Sequence, residues 1–293
     1  MLSIQLLVAA ISTGAVYALV SLGLNLVYGT LRVLNVAHGD LAMIGGYVAY
    51  WAFAGLGIEP LIALPFAALV CGLAGWGAYR GVFRRLLARG EPVAQLEANS
   101  LLLFFGVSTV LQNVASLAFS STPRAYAFLD SIVHVGGVAL AENRLIATLV
   151  ALAVCGGIWL FLSRHPFGLA MRGLIDHRQA ALVVGIDNER VQVVSFVLGF
   201  ATAGVAGVLI SMVEAVSPSM GGPLLVAAFV VAILGGLGRI GGGICAAFLL
   251  GALDTFGVAL TSPEFRSVLL YGVFVVILLF RPQGLFSKAV SVR

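Results

Sequence analysis

Charged residues are scarce in this sequence. Of its 293 residues, 16 are lysine or arginine and 12 are aspartate or glutamate, so that 10% of the chain is charged while 61% is hydrophobic. A soluble globular domain has roughly 25% charged residues. Together with a mean hydropathy of +1.10, the shortage excludes a soluble or disordered chain and indicates a membrane protein. The net charge is only +4, so the basic bias indicates orientation in a membrane, and no nucleic-acid partner is expected.

Cysteine and lysine are also rare. The three cysteines, Cys71, Cys155 and Cys245, lie in separate apolar stretches, and this spacing suits neither a metal cluster nor a disulfide framework. The single lysine, Lys288, lies outside any Gly-x-x-x-x-Gly-Lys-Ser/Thr pattern, which an ATP-binding P-loop requires. We therefore expect no cofactor in this chain, and any ATP hydrolysis in a separate subunit. Because no basic residue precedes the first apolar stretch, we expect that stretch to stay as a span rather than to be cleaved as a signal peptide.

Long apolar runs make up most of the chain. A helix needs about 20 mostly apolar residues to cross a bilayer core of about 30 Å. Nine stretches approach that length, namely 4–28, 39–56, 61–79, 98–120, 145–163, 192–212, 224–238, 241–260 and 267–280. The seventh and ninth are short for full spans, so eight crossings are the alternative. The sequence thus predicts an all-α, polytopic integral membrane protein with about 8–9 transmembrane helices, and a single transmembrane domain over 1–293.

Basic residues are unevenly distributed between the loops. Segments 80–99 and 164–191 and the tail from Arg281 hold 11 of the 16 basic residues, and basic loops face the cytoplasm. This distribution places 121–144, 213–223, 261–266 and the N-terminus outside, which requires an odd number of spans. So many glycines in 235–243 favour a break in the helix, and we expect a tight cytoplasmic turn or a re-entrant hairpin there.

The polar segment 172–190 has the sequence features of a short capped helix. Asp176 is a suitable N-cap with Gln179 three residues later, and Gly185 is suited to follow the helix end. A helix of about eight residues is about 12 Å long, too short to cross a bilayer. Its small face would consist of Ala180, Ala181 and Val184. The helix either docks in a groove of a partner or is a loop helix that only joins two spans.

Polar residues within the apolar stretches are candidates for function, because ionisable groups are costly in a membrane. One group comprises Asn25, Asn35, His38 and Asp40, and nearby glycines could interrupt the helix beside a cavity. The alternative is that 32–40 lies at the cytoplasmic boundary and joins two spans. Gln112 and Asn113 are expected to hold helices together by hydrogen bonds. Asp254 is the acid that lies well inside a span.

Several blocks of the sequence resemble one transporter family. Gln179-Ala-Ala-x-x-x-Gly185 is similar to the Glu-Ala-Ala-x-x-x-Gly loop of ABC importer permeases, with glutamine in place of glutamate. The segments 23–40, 229–238 and 279–286 look like the branched-chain amino acid ABC transporter permease, H-type subunit. Together these blocks are distributed along nearly the whole chain.

The resemblance implies an ATP-driven importer in the bacterial cytoplasmic (inner) membrane. This chain would form half of a transmembrane pathway for branched-chain or other hydrophobic amino acids, working by alternating access. The implied partners, besides membrane lipid, are a second (M-type) permease, two ATP-binding subunits with ATP and Mg²⁺, and a periplasmic amino-acid-binding protein. The segment 164–191 would be a cytoplasmic coupling loop whose contacts with the ATP-binding subunit are Asp176, Gln179, Ala180, Ala181, Val184 and Gly185.

Two alternatives of other classes remain. An ion-gradient-driven secondary transporter of small polar solutes would show intramembrane acids paired with basic groups and symmetric broken helices, and the sequence shows no clear inverted repeat. A membrane-embedded enzyme would need a catalytic residue set, and none is evident. Related permeases for urea, short amides or sugars share the architecture, so the substrate class depends on the resemblance alone.

Overall fold

The structure is a computed structural model that describes residues 2–90, 92–135, 138–280 and 284–285. Its α-helices are α1 (Leu2–Leu31), α2 (His38–Leu56), α3 (Pro60–Ala78), α4 (Arg84–Ala88), α5 (Val93–Phe119), α6 (Glu142–Arg164), α7 (Pro166–Asp176), α8 (Arg178–Val183), α9 (Asn188–Ser211), α10 (Gly221–Gly235), α11 (Ile240–Leu260) and α12 (Arg266–Phe280). A π-helical turn, Tyr79–Phe83, joins α3 to α4, and a 3₁₀ turn, Pro263–Phe265, precedes α12. Two antiparallel strands, β1 (Ile132–Val135) and β2 (Val138–Ala141), form a hairpin between α5 and α6.

Each of the nine apolar stretches contains a helix in the part of the chain that the structure describes, although the last three residues of 224–238 lie in a turn. Six helical segments there are long and apolar enough to cross a membrane, namely Ile4–Leu31, Pro60–Ala88, Val93–Phe119, Glu142–Arg164, Asn188–Ser211 and Ile240–Leu260. Helices α10 and α12 have only 15 residues each, and α2 begins with polar residues. The predicted all-α polytopic fold is confirmed, and the number of crossings agrees approximately. The β-hairpin was not predicted.

Contacts between loops agree with the predicted sides of the membrane. Arg84 and Glu189, both in segments predicted to be cytoplasmic, form an ion pair of 2.9 Å. Arg124 and Val216, both predicted to be outside, exchange backbone hydrogen bonds of 2.8 and 2.7 Å. The prediction for the tail falls on Arg281 and on the residues from 286 onward, which lie outside the described residues.

Helices α1 and α9 form the centre of the bundle. Helix α1 packs against α6, α9, α10 and α11, while α9 packs against α1, α2 and α3. Glycine lets these backbones approach closely: a Cβ on Gly207 in α9 would collide with the carbonyl oxygen of Ala42 in α2. Small residues serve this purpose in membrane bundles, where no hydrophobic force drives helices together. Helix α5 lies at the edge and exposes much of its apolar surface.

The glycine-rich run forms the tight turn between α10 and α11. Gly236 and Gly238 have φ values of +86° and +82°, which residues with a Cβ rarely adopt. The expected break in the helix is therefore confirmed as a turn. The turn lies beside α1 and α7, and both of these helices carry residues that the sequence analysis named as candidates for function.

Candidate functional sites

The segment between α6 and α9 folds into two helices rather than one. Helix α7 begins with Pro166 in its first turn, and the ring Nδ1 of His165 accepts a hydrogen bond from the Phe167 N–H (3.2 Å). Met171 and Leu174 of α7 are buried in the main core. Sequence reasoning missed α7, although the spacing of Phe167, Met171 and Leu174 is typical of one face of a helix.

The predicted start of the short helix is wrong. Asp176 is the last residue of α7, and His177 precedes α8 without a side-chain capping bond. Because the apolar face of α7 keeps the chain helical through Asp176, that carboxylate cannot cap the next helix, and no capping box with Gln179 forms. Helix α8 has six residues instead of about eight.

The predicted end of α8 is confirmed. Gly185 has a φ of +84°, and its N–H donates to the carbonyl oxygen of Leu182 (3.1 Å). The Ile186 N–H donates to the carbonyl oxygen of Ala181 (3.0 Å). These two bonds form the Schellman motif, in which a left-handed glycine ends a helix.

Of the three residues predicted to form the small face of α8, Ala180 and Val184 are exposed and Ala181 is not. Ala181 is only 4% exposed and belongs to the main core, so it faces the chain's own bundle. The outward side, which we call the α8 patch, consists of Gln179, Ala180, Leu182, Val183 and Val184. Val183 is 88% and Val184 is 75% exposed. Exposed apolar patches of this kind mark interaction sites.

Helix α7 contacts α1 directly, and both helices contact the turn between α10 and α11. A Cβ on Gly29 in α1 would lie 3.1 Å from Cγ1 of Ile175 and 3.2 Å from the Cα atom of Gly238. Asn25, one turn earlier in α1, accepts a hydrogen bond from the Gly238 N–H at its Oδ1 (3.1 Å). Its Nδ2 has no partner among the described residues. The predicted site residue Asn25 thus connects α1 to the turn that touches α7.

The other polar residues of the first two helices lie inside the bundle. Asn35 and His38 are 0% exposed and Asp40 is 1% exposed. The Nε2 of His38 is 2.9 Å from the carbonyl oxygen of Val20, which lies about 16 Å before the end of α1 at 1.5 Å per residue. The chain therefore turns back into the bundle after α1, and α2 begins inside it. The boundary interpretation is therefore wrong for His38, whereas Asn35 and Asp40 are buried in the bundle and Arg32 is exposed.

Two of these side chains have buried polar atoms without hydrogen-bond partners in the described ranges. They are both side-chain polar atoms of Asn35 and the Nδ1 of His38. Leaving a buried donor or acceptor unpaired costs about 1–3 kcal/mol. Buried polar atoms without partners are explained by a bound water, a ligand or a change of conformation.

Asp40 connects three helices. The Gln112 Nε2 of α5 donates to Asp40 Oδ1 (3.0 Å) and to the Ser108 hydroxyl (3.2 Å). Gly221, the first residue of α10, lies so close to Asp40 that an added Cβ would be 2.5 Å from Oδ1. The prediction that Gln112 joins helices is confirmed. The same prediction for Asn113 is wrong, because its amide donates to the Thr109 carbonyl of its own helix.

A second buried polar cluster joins α1, α11 and α12. Arg266 Nε donates to both carboxylate oxygens of Asp254 (3.1 Å each), and the Tyr17 hydroxyl donates to Asp254 Oδ2 (2.8 Å). Glu214 lies 3.8 Å from Arg266 Nη1. Sequence reasoning singled out Asp254 but missed Tyr17 and Arg266. The sequence feature that could have indicated Arg266 is its position directly before the apolar stretch 267–280.

Comparison with known proteins places this bundle in a family. The family model described as "Branched-chain amino acid transport system / permease component" matches residues 6–278. The chain is 31% identical to the high-affinity branched-chain amino acid transport system permease protein BraD of Pseudomonas aeruginosa, over 97% of this chain and 96% of BraD. It is 29% identical to LivH of Escherichia coli K12, again over 97% and 96%. No solved structure shows a significant match.

The M-type permease of the same system is also similar. LivM of Escherichia coli K12 is 27% identical over 92% of this chain and 67% of LivM. The helical bundle and these matches define a multi-pass permease of the cytoplasmic membrane, a transmembrane subunit rather than an enzyme. The chain belongs to the branched-chain amino acid transport system permease family, and within it resembles the H-type members BraD and LivH over nearly their full length.

Proposed function

We propose that this chain forms half of the transmembrane pathway of an ATP-driven importer for branched-chain or other hydrophobic amino acids. The observation that carries the proposal is the family match over 6–278, which includes every helix described above except the first residues of α1 and the last residues of α12. BraD and LivH are named as permeases of high-affinity branched-chain amino acid transport systems, and we extend that substrate class to this chain. Helix α2 begins inside the bundle, which suits alternating access but does not separate an ATP-driven importer from a secondary transporter.

We infer that the importer contains a second, M-type permease, two ATP-binding subunits and a periplasmic amino-acid-binding protein. The 27% identity to LivM supports a pair of related permeases, because two similar chains can surround one pathway with approximate two-fold symmetry. ATP and Mg²⁺ belong to the ATP-binding subunits in this proposal, since Lys288 lies outside any P-loop pattern.

The α8 patch is the proposed contact with an ATP-binding subunit, within the proposed coupling loop 164–191. Gln179, Ala180 and Val184 would touch the partner directly. Ala181 would hold α8 against the bundle, and Gly185 would end it. Asp176, the last residue of α7, is exposed. Because α7 contacts both α1 and the turn beside Asn25, movement of α8 would reach the buried polar residues of the first two helices.

The secondary-transporter alternative draws support from the pair of the buried Asp254 with the partly exposed Arg266. Paired intramembrane charges are expected of ion-coupled transporters. The pair also contacts Glu214 of the loop before α10, which places it toward the outer end of the bundle and suits a structural clamp between α11 and α12. The family match favours the ATP-driven importer.

A test of the purified chain alone in liposomes distinguishes a subunit of an ATP-driven importer from a secondary transporter. We expect neither ATPase activity nor accumulation of leucine, because the chain would lack the ATP-binding subunits and half of the pathway. Accumulation driven by a proton or sodium gradient in the lone chain would contradict the proposal and favour the secondary transporter. An Arg266→Gln variant in the same assay shows whether such accumulation depends on the Asp254–Arg266 ion pair.

A further inference from the structure

Two groups of three successive long helices pack in the same pattern. The first group is α1, α2 and α3, and the second is α9, α10 and α11. Helix α1 packs most extensively against α11, and α9 packs most extensively against α3. In the same way α1 contacts α10 while α9 contacts α2, and α2 contacts α3 while α10 contacts α11. Exchanging the two groups therefore leaves the pattern of contacts unchanged, although the sequence shows no repeat.

The two groups have opposite orientations across the bundle. Helices α1 and α9 are antiparallel, because Thr13 in the first half of α1 and Ile210 in the last turn of α9 line one cavity. At the other end, Leu31, the last residue of α1, lies in a cluster with Phe196 from the first half of α9. The arrangement is an inverted repeat, which suits any transporter that works by alternating access.

Two reciprocal glycine contacts lie where the groups meet. A Cβ on Gly23 in α1 would lie 2.6 Å from the carbonyl oxygen of Gly199 in α9, and a Cβ on Gly199 would lie 2.8 Å from the carbonyl oxygen of Gly23. A Cβ on Gly39 in α2 would collide with the carbonyl oxygen of Gly221 in α10, and one on Gly221 would lie 2.9 Å from the carbonyl carbon of Gly39. An approximate two-fold axis produces reciprocal contacts of this kind.

The packing divides the six helices into two bodies with interleaved sequence segments. Body A consists of α1, α10 and α11, and body B consists of α9, α2 and α3. The chain passes from body A to body B at 32–37, between α1 and α2, and returns at 212–220, between α9 and α10. Both connections are non-helical. Short segments at the ends of helices are where hinges absorb changes in backbone angles.

The first connection has two features of a segment that changes conformation. Arg32 has a φ of +58°, which residues with a Cβ rarely adopt, and backbone strain is concentrated at switch regions. Both side-chain polar atoms of Asn35 and the Nδ1 of His38 are buried without partners among the residues that the structure describes. A second conformation of this connection would give these atoms partners.

We propose that body A and body B rock against each other at the two glycine pairs, with 32–37 and 212–220 as hinges. This inference rests on the proposed function as a transporter subunit. Gly199 lies about 16 Å from the start and about 18 Å from the end of α9 at 1.5 Å per residue, so the pivot is near the middle of the bundle. A rotation of about 15° moves either end by about 4 Å, in opposite directions. The chain thereby opens its side of the pathway alternately to the two faces of the membrane.

The alternative is that this chain moves as one rigid unit against the M-type permease. In that case every distance within the chain stays constant during transport. The unpaired polar atoms at 32–37 favour the internal motion, because a rigid chain would keep them buried and unpaired in every state. Because the inverted repeat suits both classes of transporter, the test also uses nucleotide to separate them.

The test measures distances between pairs of spin labels in the complete importer, without nucleotide and after trapping with ATP, Mg²⁺ and vanadate. The inner pair joins the native Cys245 of α11, which is exposed, to Arg85→Cys of α4. Helix α4 moves with body B, because Arg84 forms an ion pair with Glu189 of α9. Cys71 and Cys155 are replaced by alanine.

The outer pair is Leu56→Cys at the end of α2 and Leu260→Cys at the end of α11, with Cys245 also replaced by alanine. Both leucines are mostly exposed, at 74% and 86%. The later residues of α2 lie toward the outer end of α9, since Ala49 clusters with Val208. The matched control pairs Cys245 with Leu260→Cys, which are about 22 Å apart along α11 within body A.

The expected result is a reciprocal change. Trapping should lengthen one of the two distances between the bodies and shorten the other, each by about 4 Å, while the control distance within α11 stays the same. If a label at 56 or 85 abolishes leucine uptake, Ile58→Cys or Ala88→Cys, also at the end of α2 and of α4, carries that label instead.

The other outcomes separate this inference from the proposed function. If the labelled importer accumulates leucine while both distances between the bodies stay constant, the chain is a rigid unit and the inference is overturned, although the function stands. A change of both distances in the same direction would also overturn it. If the complete importer accumulates no branched-chain amino acid, the proposed substrate class fails, whereas a reciprocal change between nucleotide states would still support the rocking of the two bodies.

Discussion

Val183→Asp is expected to release the ATP-binding subunits while the permease stays inserted in the membrane. Val183 is the last residue of α8 and is 88% exposed, so the chain's own fold does not depend on its side chain. If the α8 patch docks in a cleft, this valine becomes buried there. Aspartate would then bring an unpaired charge into the cleft.

The expected loss of binding free energy follows from the burial of the Val183 side chain in the proposed cleft. Covering a valine side chain contributes about 1.5–3 kcal/mol, and an unpaired buried polar or charged group costs a further 1–3 kcal/mol or more. A combined loss of about 4 kcal/mol weakens association by about three orders of magnitude. On a helix that only joins two spans, the same surface substitution changes stability by at most about 0.5 kcal/mol.

The assay is co-purification of the ATP-binding subunits with the tagged permease, scored beside the membrane abundance of the permease. Val183→Lys is a companion variant, because a positive charge at the C-terminal end of a helix stabilises the helix. If this variant also fails to bind the ATP-binding subunits, unfolding of α8 is excluded as the cause. Val93→Asp is the matched control, since Val93 is 54% exposed at the start of α5, away from α8. Normal co-purification and transport with Val183→Asp would refute the docking argument.

Three further predictions concern stability, helix ending and sidedness. Arg266→Gln leaves the buried Asp254 carboxylate without its cation and should lower the free energy of unfolding by roughly 2 kcal/mol. This loss is smaller than for a fully buried pair, because the Arg266 side chain is 43% exposed. An unchanged thermal midpoint in detergent would contradict this prediction. Gly185→Val forces a β-branched residue to a φ of +84°, costing about 1–2 kcal/mol, and should reduce co-purification of the ATP-binding subunits at normal membrane abundance; full assembly would show that the left-handed end of α8 is dispensable. An impermeant maleimide applied to intact cells should label Ser131→Cys and not Arg178→Cys, and labelling of position 178 would reverse the assigned orientation.

The helices were predictable because their signal is local. An apolar run of membrane length predicts a span whatever its neighbours are, and each of the nine runs contains a helix among the described residues. The end of α8 was predictable for the same reason, since Gly185 needs only its own left-handed conformation and two nearby backbone bonds. The glycine-rich turn between α10 and α11 is a third local feature.

Features that depend on the packing of distant segments were not predictable. Ala180 and Ala181 are equivalent in sequence, but α7 orients α8 so that only Ala181 faces the bundle. Whether His38 lies at a membrane boundary or inside depends on its contact with the Val20 carbonyl, and no local pattern encodes that contact. The Asp254–Arg266 pair requires α11 and α12 to lie side by side, so the acid was visible in the sequence and its partner was not.

The most direct test of the central claim is leucine uptake by the complete importer in liposomes, with this chain, its M-type partner, the ATP-binding subunits and the binding protein. We predict accumulation of leucine that requires ATP on the side of the ATP-binding subunits and is lost when this chain is omitted. An importer that accumulates leucine equally without this chain, or that accumulates it from an ion gradient without ATP, would contradict the claim that the chain forms half of an ATP-driven pathway.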